Sequence, residues 1–242
     1  KILGDFLGVE KRPLLVLDSV KSLRRRGEMS ARVAAAMSLQ PLASDIVFLL
    51  QDAENPKSMK WDVLRDVLLK NEHFILYGFS WILWLAWGVA EFPQDIKKLL
   101  RDKEISFVHS GGWKKLEAIK VQHDDFNKAV LRAVGNTSKV VDFYGLVEQM
   151  GIIYPMCEYG ARHVPVWADI IIRDVYTLKP LIEETGQIQL LNVLAYGAPY
   201  HSVLTEDVGR LIPGECPCGR KGRRFDLLGR VPRAEIRGCA NV

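Results

Sequence analysis

Three short stretches carry residues whose types and order suit chemistry on a bound molecule. In Asp142-Phe143-Tyr144-Gly145-Leu146-Val147-Glu148-Gln149, an apolar lead-in (Val140, Val141) ends in an aromatic residue and a glycine turn, and a carboxylate follows. A strand end of this kind presents a flat ring, Tyr144, that can stack on a purine, and an acid, Glu148, that can hold magnesium beside phosphates. A core strand running into a turn explains the same residues without any ligand. In Phe107-Val108-His109-Ser110-Gly111-Gly112-Trp113-Lys114-Lys115, the glycine pair after an apolar run lets backbone approach a ligand closely and offer its amide hydrogens. A simple turn with two surface lysines is the alternative. The third stretch is Leu204-Thr205-Glu206-Asp207-Val208-Gly209, with two adjacent carboxylates.

The cysteines make a separate argument. Cys216-Pro217-Cys218-Gly219 is a tight turn with two thiols, resembling one knuckle of a structural zinc site. Cys157 and His163, in Cys157-Glu158-Tyr159-Gly160-Ala161-Arg162-His163, could complete a Cys₃His tetrahedron. Buried thiols and an exposed histidine are the alternative. That leaves Cys239, beside Gly238 and near Arg233 and Arg237, where mobility and positive charge favour a thiolate nucleophile. His109 and His201 are further candidates for contact with a carboxylate.

These residues need elements to place them. An apolar strand follows Arg12-Pro13 and ends at Asp18 and Ser19; helices are predicted over 30–39 and 60–69, and a strand near 46–50. Phe74–Tyr77 reads as a strand turning into a buried helix that runs to Ala90. Pro93 opens a helix to Arg101, and Asp124 and Asp125 are expected to cap a helix reaching Val134. Strand alternating with helix up to residue 148 predicts α/β layers on a mostly parallel sheet. After Gly151, short strands separated by turns predict a smaller β-rich subdomain. The expected organisation is an α/β portion over 1–150, a β-rich subdomain over 151–229 and a tail over 230–242.

Bulk properties set outer bounds. The 242 residues are 48% hydrophobic, ample for a core, and the net charge of +4 argues for no nucleic-acid partner. Basic residues crowd the last stretch (Arg220, Lys221, Arg223, Arg224, Arg230, Arg233, Arg237) as a solvated face or a phosphate or acidic-partner contact, without the interleaved aromatics of single-strand binders. The charge-free run 74–90 approaches membrane-spanning length, yet Gly78, Ser80 and Gly88 favour a buried core element over a membrane span. No targeting signal is visible and the cysteines do not form a disulfide framework, so a cytoplasmic location is expected; Lys1 is not an initiator methionine, as in a fragment or processed product.

The three stretches, with the tail Cys216-Pro217-Cys218-Gly219-Arg220-Lys221-Gly222-Arg223-Arg224-Phe225 and Glu235-Ile236-Arg237-Gly238-Cys239, resemble the adenylate-forming enzymes. The nearest resemblance is to the acyl-protein synthetases, the fatty-acid-activating component of bacterial luminescence systems; phenylacetate-CoA ligase is a more distant likeness. The resemblance runs from about Phe74 to the C-terminus. It implies that Ser110, Gly111 and Gly112 lie along the nucleotide and the acyl pocket. It implies that Tyr144 and Gly145 flank adenine and Glu148 holds magnesium. Asp207 matches an aspartate that accepts both ribose hydroxyls, and Arg230 an arginine at a hinge near ribose or phosphates. Cys239 matches the acyl acceptor, with an acyl-protein reductase as partner. The implied reaction consumes ATP and a carboxylic acid, a fatty acid by resemblance, through an acyl-adenylate.

Two departures are visible. Val147 stands where the wider superfamily has threonine before the glutamate, and no Ser/Thr/Gly-rich phosphate loop occurs between Lys1 and Phe107. Either the chain begins after that loop or the protein lacks it, and this polypeptide is then an incomplete catalytic unit. Two other functions stay open: an acyl-CoA ligase with CoA as the thiol, and a non-catalytic nucleotide- or zinc-binding fragment.

Overall fold

A computed structural model describes residues 1–24, 31–113, 119–146, 149, 151–194 and 199–231. Glu148, Cys239, Lys114 and Lys115 lie outside the described residues, as do Arg233 and Arg237. The chain forms two compact units, one of Leu7–Asp142, the other of Lys1–Phe6 with the described residues from Phe143 onward.

The first unit is the expected α/β layer. Its strands are β1 (Arg12–Val16), β2 (Ala43–Phe48), β3 (His73–Phe79), β4 (Glu104–Ser110) and β5 (Lys139–Tyr144), ordered β2-β1-β3-β4-β5. β1 runs parallel to β2 and β3, and β3 parallel to β4. A central parallel strand is covered on both faces, which is why β3 is a continuous apolar run with all but its first residue buried. Helix Trp61–Lys70 turns Leu64 and Leu68, one turn apart, into the core. Chain order places a switch between β1 and β3, and ligands in open α/β sheets bind at strand carboxyl ends beside such switches.

The run after β3 is not one regular helix. Ser80–Leu83 is α-helical and Trp84–Gly88 is a π turn. Its last carbonyls are taken by one side chain: Arg132 donates to the oxygens of Gly88 and Ala90 and, at 3.3 Å, to that of Trp87. Trp87 is fully buried and gives its indole hydrogen to Val130 O at 3.1 Å. Among the described residues no helix is long and apolar enough to cross a membrane. Helix His123–Leu131 begins one residue after Gln122 with no side-chain cap. Asp124 and Asp125 therefore sit inside its first turn, favourable to the helix dipole, instead of capping it, and the helix stops short of Val134.

The second unit is antiparallel, as its short alternating strands require. The last residues of β5, Phe143 and Tyr144, pair with Pro155 and Tyr154 of β6 (Tyr154–Pro155). β7 (Arg162–His163), β8 (Ala168–Arg173), β9 (Pro180–Leu181), β10 (Gly186–Asn192), β11 (Ser202–Leu211) and β12 (Arg224–Arg230) form a sheet ordered β7-β12-β11-β10-β8-β9. β10 buries every second residue, and its Ile188 and Leu190 join Ile152, Tyr154, Ile170, Ile172 and Phe225 in the core. β11 contains the whole 204–209 stretch, and its register against β10 jumps from Gln187↔Val208 to Gln189↔Leu204. Residues 205–207 stand opposite the single Ile188, two residues more than a regular ladder holds, and form a bulge.

Candidate functional site

The bulge in β11 is built by side chains that replace missing ladder bonds. Buried Thr205 donates its hydroxyl to Ile188 O at 2.8 Å and accepts from the Asp207 amide at 3.1 Å. Gln187 Nε2 donates to Thr205 O at 2.6 Å. Bulges re-aim side chains beside functional sites. Here the re-aimed side chain is Asp207, 21% exposed, whose Oδ2 accepts the Tyr144 hydroxyl at 2.6 Å. Across the ladder Asp207 faces Arg230, whose Nε lies 3.6 Å from Asp207 Oδ1. Arg230 also pairs with Glu206, and the amide of Val231 donates to Glu206 O at 2.9 Å. Tyr144, Asp207 and Arg230, far apart in the sequence, thus form one constellation on the second unit.

The Tyr144 ring packs near Tyr154 and Phe225, with centroids at 6.0 and 6.3 Å. Burial, then the Asp207 charge and the hydrogen bond to it, push the phenol well above its ordinary range, so it remains a donor. The constellation offers an ionised carboxylate with one oxygen tied from the protein side and a guanidinium beside it. That suits a group carrying adjacent hydroxyls and a negative charge. The Glu206–Arg230 pairing escaped the reading of the sequence because only the register across β11 and β12 reveals it. Gln149 escaped it too: it is buried, and its amide donates to Tyr200 O at 3.0 Å and Leu190 O at 3.3 Å, pinning the residue next to Glu148.

Ser110, Gly111 and Gly112 belong to the first unit, at the carboxyl end of β4. Ser110 Oγ is 3.2 Å from the buried Tyr77 hydroxyl. Ser80 Oγ lies 2.7 Å from Gly111 O and 3.1 Å from Ser110 O, and 2.9 Å from His109 Nδ1. Carbonyls only accept, so the single Ser80 proton goes to them and His109 Nδ1 carries the hydrogen that Ser80 accepts. Asp142 Oδ1, 3.7 Å from the same nitrogen, supports that assignment. Gly111 has φ +80°, a conformation that favours glycine, whereas among the described residues a Cβ on Gly112 would meet nothing within 4 Å. The described residues make no steric demand for glycine at 112. His201 is exposed.

The four expected metal ligands do come together. Cys157, His163, Cys216 and Cys218 place one ligand atom each within 4.8 Å of all the others. Cys157 Sγ is 3.7 Å from Cys216 Sγ, and Cys218 Sγ is 3.4 Å from His163 Nε2. Two turns of the same design supply the thiols. In each, the amide of a glycine with positive φ donates back to the cysteine carbonyl: Gly160 to Cys157 at 2.9 Å, Gly219 to Cys216 at 3.0 Å. Burial raises the Cys157 thiol to about 11. Burial also acts to raise Cys216, but hydrogen bonds from Cys218, Cys157 and Arg224 outweigh it and bring that thiol down to about 7. The cluster can hold a metal.

Comparison with known proteins follows the same line. The family profile described as acyl-protein synthetase, LuxE, matches residues 6–242. A long-chain-fatty-acid–luciferin-component ligase of Vibrio harveyi is 26% identical over 141 residues, 57% of this chain and 36% of that protein. Among solved structures, an open conformation of 2-hydroxyisobutyryl-CoA ligase in complex with 2-HIB-AMP and CoA is similar with a TM-score of 0.61 at 14% identity, over 93% of this chain and 46% of that one. ATP-bound MatB from Rhodopseudomonas palustris is similar with a TM-score of 0.55 at 12% identity, over 94% of this chain and 42% of that one. The chain therefore spans less than half of these solved chains, whose fold it shares.

Proposed function

Because this chain belongs to the LuxE acyl-protein synthetase family, we propose that it activates a fatty acid with ATP and passes the acyl group to its own Cys239. One observation carries this reading: the Tyr144–Asp207–Arg230 constellation, at the three positions where the resemblance calls for nucleotide contacts. In the first step a carboxylate oxygen of the acid bonds to the α-phosphorus of ATP and pyrophosphate leaves with the broken P–O bond. In the second, the Cys239 thiolate bonds to the acyl carbon and AMP leaves as its anion, giving a thioester. Asp207 would accept the ribose hydroxyls through lone pairs that Tyr144 leaves open. Arg230 would face phosphate once it exchanges Glu206 for the ligand. Glu148 offers the hard oxygen that magnesium prefers, and magnesium bound there supplies charge neutralisation on the phosphates. An acyl-protein reductase would then consume the thioester.

For the cysteine cluster we infer zinc. A tetrahedral site with Zn–S near 2.3 Å and Zn–N near 2.0–2.1 Å has edges of about 3.8 Å between sulfurs and about 3.6 Å between sulfur and nitrogen. The separations of 3.7 and 3.4 Å sit close to both, and three soft thiols with one imidazole suit that ion. All four positions are filled by protein, so the site is structural, and reduced thiols fit a cytoplasmic location.

Labelled fatty acid and ATP, given to the longest polypeptide the reading frame encodes, test the acyl reading. Label should stay on protein, leave with hydroxylamine, and vanish in Cys239→Ser. Label appearing only on added CoA would make it an acyl-CoA ligase, and no pyrophosphate release with any acid would leave a non-catalytic binding fragment.

A further inference from the structure

The metal cluster has a wall that comes from the far end of the chain. Phe6 packs against the Cys157, Ala161 and Cys216 group, and its ring meets that of His163 edge-on with centroids 6.3 Å apart. Over the Phe6 ring lies the Arg220 guanidinium, 4.0 Å from the centroid. Arg220 also reaches Asp5 O and Glu158 Oε2, each at 3.3 Å. One arginine thus ties the N-terminal turn to both cysteine turns, since Glu158 follows Cys157 and Arg220 follows Gly219.

Two physical consequences follow. Three thiolates on a divalent ion leave one net negative charge, and a guanidinium held beside Cys218 by Phe6 offsets it. The half-buried Phe6 ring, edge-on to the imidazole, would limit the access of water to a metal held by His163. Conversely, Phe6 has an ordered surface to rest on only while His163 and the thiols are gathered. We propose that Lys1–Phe6 is the closing wall of the metal site, so that metal occupancy and docking of these six residues are thermodynamically coupled; this rests on the reading of the cluster as a zinc site. Coupling of two equilibria is reciprocal: whatever factor the docked segment adds to metal affinity, the metal adds to docking.

The experiment has two arms on the chain as it stands. Zinc release to a chromogenic chelator is timed for the unaltered protein, Phe6→Ala, Arg220→Ala and Tyr176→Ala, the last a 93% exposed side chain that is not part of the cluster. Hydrogen exchange of residues 1–8 is followed by mass spectrometry with zinc and after its removal. Outer-shell changes typically alter metal affinity by about 10–100-fold. Release should quicken by about tenfold in Phe6→Ala and Arg220→Ala, with one zinc per chain retained and Tyr176→Ala unchanged. Exchange at 1–8 should rise when zinc is removed. One zinc per chain, with release indifferent to Phe6 and Arg220 and exchange at 1–8 indifferent to zinc, overturns the coupling and leaves the zinc site standing. No zinc bound by the unaltered protein overturns both.

Discussion

Tyr144→Phe tests whether the constellation is a nucleotide site or a packing feature. The change removes only the hydroxyl, and the ring keeps its neighbours Tyr154 and Phe225. What is lost is one donor to Asp207 Oδ2 at 2.6 Å. A hydrogen bond to a charged partner contributes about 1.5–3 kcal/mol net. Asp207 is 21% exposed, so screening by solvent argues for the lower end, about 1.5 kcal/mol. If that bond fixes the carboxylate for the ribose hydroxyls, ATP binding should weaken by about tenfold, since 1.4 kcal/mol is a factor of ten. Calorimetric titration of the chain with ATP reads this directly. If instead Tyr144 serves only by stacking on adenine, phenylalanine stacks as well and the affinity should hold, while Tyr144→Leu should lose it. A double-mutant cycle with Asp207→Asn should give a coupling energy of about 1–2 kcal/mol. An unchanged ATP affinity in Tyr144→Phe, with a coupling energy near zero, refutes the claim that the hydroxyl orients Asp207.

Two buried tyrosines, Tyr77 and Tyr154, and the half-buried Tyr144 predict the alkaline behaviour. Burial raises Tyr77, Tyr144 and Tyr154, helped at Tyr144 by Asp207 and at Tyr154 by Asp169. A folded value above the unfolded one, near 10, means their stabilisation is complete below pH 10 and is lost as pH climbs beyond it. Ultraviolet titration should therefore find Tyr77, Tyr144 and Tyr154 silent at pH 11 until unfolding exposes them together. Glycines at the two sites should separate fold from function. A Cβ on Gly209 would come within 2.4 Å of Asp226 O and 2.8 Å of Ile188 Cδ1, so Gly209→Ala should cost about 2–3 kcal/mol in chemical denaturation. Gly112→Ala meets nothing among the described residues and should stay within about 0.5 kcal/mol, yet it should reduce substrate binding several-fold if the turn lies along a ligand. Equal binding by Gly112→Ala and the unaltered protein would remove the turn from the site.

Much of this arrangement is readable from residue patterns, and what is not has physical causes. The apolar run of β3 and the alternation in β10 follow from burial on two faces and on one. The π turn at Trp84–Gly88 is invisible to periodicity, because five residues differ too little from a regular turn; what stabilises it is Arg132, more than forty positions downstream. The bulge hid the true length of β11, since Thr205 and Gln187 supply with side chains what a ladder would supply with backbone. Tyr144, Asp207 and Arg230 could each be flagged from motifs, and the cysteine set from residue types. The Glu206 pairing and the Phe6 wall depend on register and on contacts between chain ends, which no local pattern encodes.

The Val231–Glu206 backbone bond pins position 231 against β11. Eight peptide units separate positions 231 and 239, so their Cα atoms can lie no more than about 28 Å apart. Under the proposed acyl transfer, covalent geometry alone would then require the acyl donor to be presented to Cys239 within about that radius of position 231.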